Sequence, residues 1–195
     1  MKVSTENKHS FSGKGLFPVK YAFTLLLPIR KFILSPKKLL KQLNPKDHST
    51  ILEVGPGPGF FSSTIAKAIP NGLLTLFDIQ ESMLNIARKR LTKKGLTNVD
   101  YIASNGKSFP FQDDQFDIIF MVTVLGEVHN KNEYLKEFQR VIKENGIVAV
   151  SEQAGDPDLM SVDALTELFV ANGFKLANKY GNKLYYTLIF QPVSS

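Results

Sequence analysis

Residues 51 to 60 read ILEVGPGPGF, an apolar run that opens directly onto Gly55, Gly57 and Gly59 with prolines between them. A short apolar run bounded by turn residues reads as a buried strand. Glycine at three positions in five lets the chain take positive φ and lets another group approach the main chain closely. If a helix follows, its first turn adds unpaired N–H groups to the same place. Two readings fit this stretch: a tight strand-to-helix turn that holds nothing, or a loop that holds a ligand against its backbone.

Beyond residue 47, strand-like and helix-like segments alternate. Ser49 to Val54 is the first strand, and Phe60 to Ile69 follows as a helix ended by Pro70. Residues 73 to 77, LLTLF, form a second buried strand closed by Asp78. Glu81 to Lys94 has helical spacing at Met83, Ala87 and Leu91, with an acid at its start, bases late and Gly95 as its stop. Val99 to Ala103 and Phe116 to Val122 are the third and fourth strands. A stripe at Tyr134, Leu135, Phe138, Val141 and Ile142 predicts a helix stopped by an Asn145-Gly146 turn, before a fifth strand at 147 to 151. Val162 to Ala171 is helical, and Phe174 to Lys179 and Lys183 to Phe190 flank a Gly181-Asn182 hairpin. Parallel strands need crossovers, so this alternation predicts a parallel sheet with helices on both faces.

The 195 residues, 43% hydrophobic, suit one globular domain with an extension. The absence of cysteine removes disulfides, thiolate metal sites and cysteine nucleophiles, and no metal centre is expected. The first residues lack the apolar core of a secretory signal, and no run reaches the ~18 apolar residues of a membrane span, so a cytoplasmic protein is expected. The net charge of +6 is unevenly spread: residues 1–46 hold ten basic side chains against Glu6 alone, a net of +9, which leaves the remainder slightly acidic. Aromatic and aliphatic residues lie among those lysines, broken by Pro18, Pro28 and Pro36. Residues 1–46 are therefore expected to form a basic amphipathic extension, and residues 47–195 the ligand-binding domain. Residues 11–43 suit either a peripheral contact with an anionic membrane or a helical lid with its lysines in water.

In a sheet of this kind ligands bind beyond the carboxyl ends of the strands. Asp78 ends the second strand, 23 residues after Gly55, where a carboxylate can accept hydrogen bonds from a ribose hydroxyl pair. The pairing favours a nucleoside-containing cofactor. The dinucleotide fingerprint would place a third small residue at position 60, which is Phe. Glu53, just before the loop, would repel a pyrophosphate and attract a sulfonium or an α-amino group. Glu53 could equally bond nearby loop groups.

The segments EVGPGPG at 53 to 59, FDIQESML at 77 to 84, SFPFQDDQFDIIF at 108 to 120, LKEFQRVIKENGIVAVSE at 135 to 152 and LFVANGF at 168 to 174 occur in a characteristic order. The chain thereby resembles class I S-adenosylmethionine-dependent methyltransferases of the small-molecule type over residues 48 to 190. The resemblance implies a Rossmann-like, doubly wound α/β sheet of seven strands, mostly parallel with an antiparallel last strand. It implies that Glu53, Gly55, Pro56, Gly57 and Gly59 surround the methionine part of S-adenosylmethionine, with Asp78 at the ribose and Ile79 beside the adenine.

The sequence departs from the family pattern in two places. Asn105, followed by Gly106, stands where many members carry an acid for the adenine amino group, and its side-chain oxygen can still accept that bond. In LGEVHN, Gly126 and Glu127 occupy the places of a frequent His pair, with His129 two residues on. Glu127 and His129 are the candidates for a general base, should the acceptor have a proton to lose.

The acceptor is expected to be a small molecule or a lipid-like compound. A nucleic-acid acceptor is disfavoured, because MVTVLGE stands where base-methylating members carry an aromatic (N/D)PP(F/Y/W) element. A non-catalytic binding protein on the same fold is the alternative of a different class.

Overall fold

The computed structural model describes residues 35–105, 108–182 and 185–193. Most of the basic extension, Gly106 and the start expected for the last strand lie outside them.

Seven strands form one sheet: β1 (Thr50–Val54), β2 (Leu73–Asp78), β3 (Val99–Ala103), β4 (Phe116–Val122), β5 (Ile142–Gln153), β6 (Phe174–Gly181) and β7 (Tyr185–Pro192). Their spatial order is β3-β2-β1-β4-β5-β7-β6. The first five strands pair in parallel, and β7 runs antiparallel between β5 and β6. The helices are α1 (Pro36–Leu43), α2 (Ser62–Ala68), α3 (Glu81–Thr92), α4 (Lys131–Val141) and α5 (Val162–Ala171). β1 lies between β2 and β4, so the chain reverses its winding there and opens a crevice above the carboxyl ends of these strands.

Both faces of the sheet are covered, which is why the central strands read as continuous apolar runs rather than alternating ones. Leu52, Val54, Ile119, Met121, Val148 and Val150 pack under Leu135 and Phe138 of α4 and Leu165 and Phe169 of α5. Ile51, Leu74, Leu76 and Phe120 pack on the other side under Leu39 and Leu43 of α1, Ile65 of α2 and Leu84 and Ala87 of α3. α1 thus belongs to the core layer, with Lys37, Lys38 and Lys41 exposed on its outer side. Phe120 and Phe138 are fully buried, and truncation of either to Ala would cost about 3–5 kcal/mol.

The Asn145-Gly146 turn expected from the sequence is instead part of a strand. α4 ends at Val141, and β5 begins at Ile142, which pairs with Phe116 before a register shift leads to the Ile118–Ile147 pair. Residues 143–146 stand opposite Asp117 alone, so β5 carries a bulge here. A Cβ on Gly146 would lie 2.7 Å from Ile142 Cγ1 and 3.0 Å from the Asp117 carbonyl oxygen, so glycine suits this close approach.

The FPF motif owes its position to α4. Arg140 Nη2 donates to the Phe109 carbonyl at 3.1 Å and Nη1 to the Phe111 carbonyl at 2.7 Å, while the Phe109 N–H donates to Glu137 Oε2 at 3.2 Å. One Glu-Arg pair at i,i+3 therefore holds a loop that is remote in sequence.

Candidate active site

The loop after β1 has positive φ at all three glycines: 65° at Gly55, 52° at Gly57 and 75° at Gly59. Each is a conformation that a side chain disfavours. At Gly55 a Cβ would also lie 2.5 Å from Val124 Cγ2, so the loop closes tightly on the segment that follows β4. The Gly55 N–H donates to the Phe77 carbonyl at 2.9 Å, joining the loop to β2.

Glu53 is buried beneath this loop at 2% exposure and accepts a 2.5 Å hydrogen bond from Ser62 Oγ at the start of α2. Burial pushes its carboxyl up to about 8; the Ser62 bond and the Arg90 charge oppose the shift, and Asp78 adds to it. Arg90 of α3 reaches back to the loop, with Nη1 donating to the Pro58 carbonyl at 3.3 Å and to the Gly59 carbonyl. Its guanidinium fixes two carbonyls and supplies a countercharge for Glu53. Sequence reasoning gave Arg90 no part, since its position within a basic helical tail suggested only a favourable helix-end charge.

Asp78 is buried at the end of β2 and accepts from the Gly57 N–H at 3.2 Å and the Gln80 N–H at 2.9 Å. Burial raises its pKa, against these backbone bonds. Glu53, the glycine loop and Asp78 therefore form one connected unit. Ile79, half-buried, follows at the same edge. Asn105 is exposed beyond β3, and its Oδ1 accepts the Ser108 N–H at 3.1 Å.

On the other side of the crevice, β4 is followed by Thr123 at φ 53°, an uncommon conformation for a β-branched residue. Its N–H donates to the Ser151 carbonyl of β5 at 2.8 Å. A 3-10 turn, Leu125–Glu127, follows, and a Cβ on Gly126 would overlap the Asp158 carbonyl oxygen at 2.0 Å. The turn therefore packs against the loop after β5. Glu127 is half-buried; burial and the nearby Asp156, Asp158 and Asp78 push its carboxyl up to about 7. His129 is exposed, two residues beyond this turn.

Glu152, near the end of β5, was given no role from the sequence. It is 1% exposed, and burial, Asp156 and Glu127 push its carboxyl up to about 8. An acid following the apolar run IVAVS is the signal that could have singled it out, as Glu53 was singled out within ILEV. Tyr134 of α4 also approaches the crevice: burial raises its hydroxyl pKa, and Asp78 raises it further.

This crevice arrangement agrees with three comparisons. The family described as "methyltransferase domain" matches residues 45–190. The ubiquinone/menaquinone biosynthesis C-methyltransferase UbiE of Vibrio campbellii is 34% identical over 133 residues, 67% of this chain and 50% of that protein. UbiE of Hydrogenovibrio crunogenus is 35% identical over 106 residues, 53% of this chain and 42% of that protein. The chain thus spans about half the length, or less, of these curated relatives. The crystal structure of a SAM dependent methyltransferase from Aquifex aeolicus superposes with a TM-score of 0.85 at 26% identity, over 91% of this chain and 100% of that one. The [4+2]-cyclase SpnF shares the fold, with a TM-score of 0.73 at 18% identity over 82% and 80% of the two chains. With the family match spanning most of the chain, this protein belongs to the methyltransferase-domain family, of the class I S-adenosylmethionine-dependent type.

Proposed function

We propose that this chain methylates a small organic acceptor, with S-adenosylmethionine as the methyl donor. The observation that carries this reading is the connected unit of Glu53, the glycine loop and Asp78. Its donor chemistry fits the cofactor. Two buried carboxylates border the loop, and Arg90, the basic group beside it, is bonded to the loop's own carbonyls rather than turned to a phosphate. Such a site favours a sulfonium, an amino group and ribose hydroxyls over a pyrophosphate.

In this reading residues 47–195, with α1 packed on them, are the cofactor-binding domain, and the rest of residues 1–46 is a lid-like extension. Glu53, Gly55, Pro56, Gly57 and Gly59 hold the methionine part, and Asp78 holds the ribose hydroxyls. Ile79 lies along the adenine and Asn105 beside its amino group; Gly106 lies outside the described residues. When bound, S-adenosylmethionine supplies a methyl group already activated by its sulfonium. What the protein adds is alignment and the exclusion of water. Glu127 is the general base, since its carboxyl changes protonation near neutral pH beside the crevice. His129, exposed at the end of the segment, has no part in the step.

The test is calorimetric titration with S-adenosylmethionine and S-adenosylhomocysteine, with NADH as the control and Asp78→Ala as the variant. Micromolar binding that is absent for NADH and lost in the variant supports the reading, and radiolabelled methyl transfer to metabolite extracts then finds the acceptor. With the acceptor in hand, kcat/KM rises with pH to an inflection near 7 that disappears in Glu127→Gln. No binding of either adenosyl compound would leave a non-catalytic binding protein as the better description.

A second reading, a lipid-like acceptor met at a membrane surface, draws support from the basic and aromatic composition of residues 11–43 and from the exposed lysines of α1. Among the described residues no helix is long and apolar enough to cross a membrane. Cosedimentation with anionic but not neutral vesicles, lost on removal of residues 1–34, is the expected result for peripheral contact.

A further inference from the structure

The cofactor reading accounts for Glu53 and Asp78 but leaves Glu152 unused. Glu152 alternates with Val148 and Val150 along β5, which places it on the α4 and α5 side of the sheet, whereas Glu53 alternates with Ile51 on the other side. Its Oε1 is fully buried and has no hydrogen-bond partner. The neighbouring donors bond to other acceptors. Tyr186, paired with Glu152 across β5 and β7, donates its hydroxyl to the Met160 carbonyl. Lys131 Nζ donates to the Val128 carbonyl at 2.6 Å and to the Gly126 carbonyl at 3.2 Å.

The surroundings of this unpartnered carboxyl are acidic from several elements. Glu127 comes from the turn after β4, Asp156 and Asp158 from the loop after β5, and Asp78 from the end of β2. Asp156 and Glu127 act on Glu152, while Asp156, Asp158 and Asp78 act on Glu127. Lys131 is the cation that acts against them at Glu152. The carboxylates do not converge as metal ligands do: among the described residues no three His, Asp or Glu side chains could hold a metal ion. A phosphate, a carboxylate or a phenolate would be repelled here. A buried acceptor atom within a negative field calls for a ligand that brings both positive charge and N–H donors.

We propose that the carboxyl ends of β4 and β5 form an acceptor subsite in which Glu152, Glu127 and Asp156 bind the ammonium group of a small amine. The proposal rests on the methyltransferase reading above and adds the chemical class of the acceptor. Glu152 provides the buried oxygen, Glu127 flanks the cofactor side, and Asp156 adds charge from the loop. Because desolvation holds Glu152 and Glu127 partly protonated in the free protein, arrival of an ammonium ion expels protons from the site, and a neutral alcohol does not.

The test uses the full chain loaded with S-adenosylhomocysteine, titrated at pH 7 with benzylamine, 2-phenylethylamine and octylamine, and with the isosteric alcohols and carboxylates. Each titration is run in two buffers of different ionisation enthalpy, so that proton release is read directly. The amines are expected to bind at least ~10-fold more tightly than the alcohols, with release of up to about one proton, and the carboxylates not to bind. Glu152→Gln and Glu127→Gln are each expected to lose about 10-fold of the amine preference while retaining S-adenosylhomocysteine binding. Equal affinity for amines and alcohols, a preference that survives both variants, or no amine binding to the loaded protein would overturn the subsite. Should S-adenosylhomocysteine itself fail to bind, the cofactor reading falls separately, and the same amine titration on the unloaded protein still decides the subsite.

Discussion

The two faces of the sheet each carry a buried glutamate near the carboxyl end of a central strand, and the protein treats them differently. Both carboxyls are pushed up to about 8 by burial. Glu53 has a dedicated donor in Ser62 and a countercharge in Arg90, and the loop above it is fixed by Asp78 and by the Arg90 contacts. Glu152 has an orphan oxygen, and Glu127 and Asp156 outweigh Lys131 in the charge around it. Leaving a buried polar atom unpaired costs about 1–3 kcal/mol, so the difference separates a site organised before its ligand arrives from one completed by its ligand.

The sharpest way to break this comparison is at the preorganised side. Asp78→Ala removes the acceptor of two loop N–H groups together with the charge facing the crevice, and S-adenosylhomocysteine affinity is expected to fall ~100-fold or more by calorimetry. A loss below ~5-fold would mean that the glycine loop holds its shape and its ligand without the carboxylate.

The next effect tests the unpaired side through stability. The carboxyl of Glu152 titrates near 8 in the folded state, against an ordinary value of 4.5. Between these values the folded protein retains a proton that the unfolded chain has lost, so this group reduces stability as pH rises from 4.5 towards 8. Glu152→Gln removes that penalty without changing shape. It is expected to stabilise the protein by roughly 1–3 kcal/mol at pH 8 and to be neutral near pH 4.5, as read from chemical denaturation at the two pH values. A destabilised variant at pH 8 would show that the carboxylate has a donor in the folded protein.

Arg90→Met separates the countercharge from the fold. It removes the bonds to the Pro58 and Gly59 carbonyls, and a loss of about 1–2 kcal/mol is expected, whereas Arg88→Met, which removes an exposed cation stacked 4.7 Å from the Tyr101 ring, is expected to cost about 0.5 kcal/mol. Equal melting temperatures for the two variants would remove Arg90 from the account of the loop. The smallest effect is expected at Thr123, whose left-handed conformation Asn tolerates better. Thr123→Asn should stabilise by ~0.5–1 kcal/mol, and no gain would show that the turn after β4 is not strained.

Much of this architecture was legible because it rests on local rules. Strand-like runs such as DIIFMV, glycines at the ends of elements and helical spacing at Met83, Ala87 and Leu91 each depend on residues a few positions apart. β3, β4 and the helix Val162–Ala171 have the bounds that their patterns predict. The Asn145-Gly146 dipeptide misled for an equally local reason: it is a common turn signal, and only the pairing of Ile142 with Phe116 makes it a bulge. The glycine loop and Asp78 could be read because their spacing along the chain is set by one strand-helix-strand unit.

The sequence alone determined an α/β sheet, its ligand edge and the acidic character of the cofactor loop, since periodicity, glycine placement and charge are properties of neighbouring residues. The tertiary structure decided which buried charges have partners. Arg90 meets the Pro58 and Gly59 carbonyls across about thirty residues, and Glu152 interacts with Glu127 and Asp156 from different elements while its Oε1 has no partner. A hydrogen bond or a repulsion depends on distance and direction in space, and those are fixed only when the strands are laid side by side and the helices close over them.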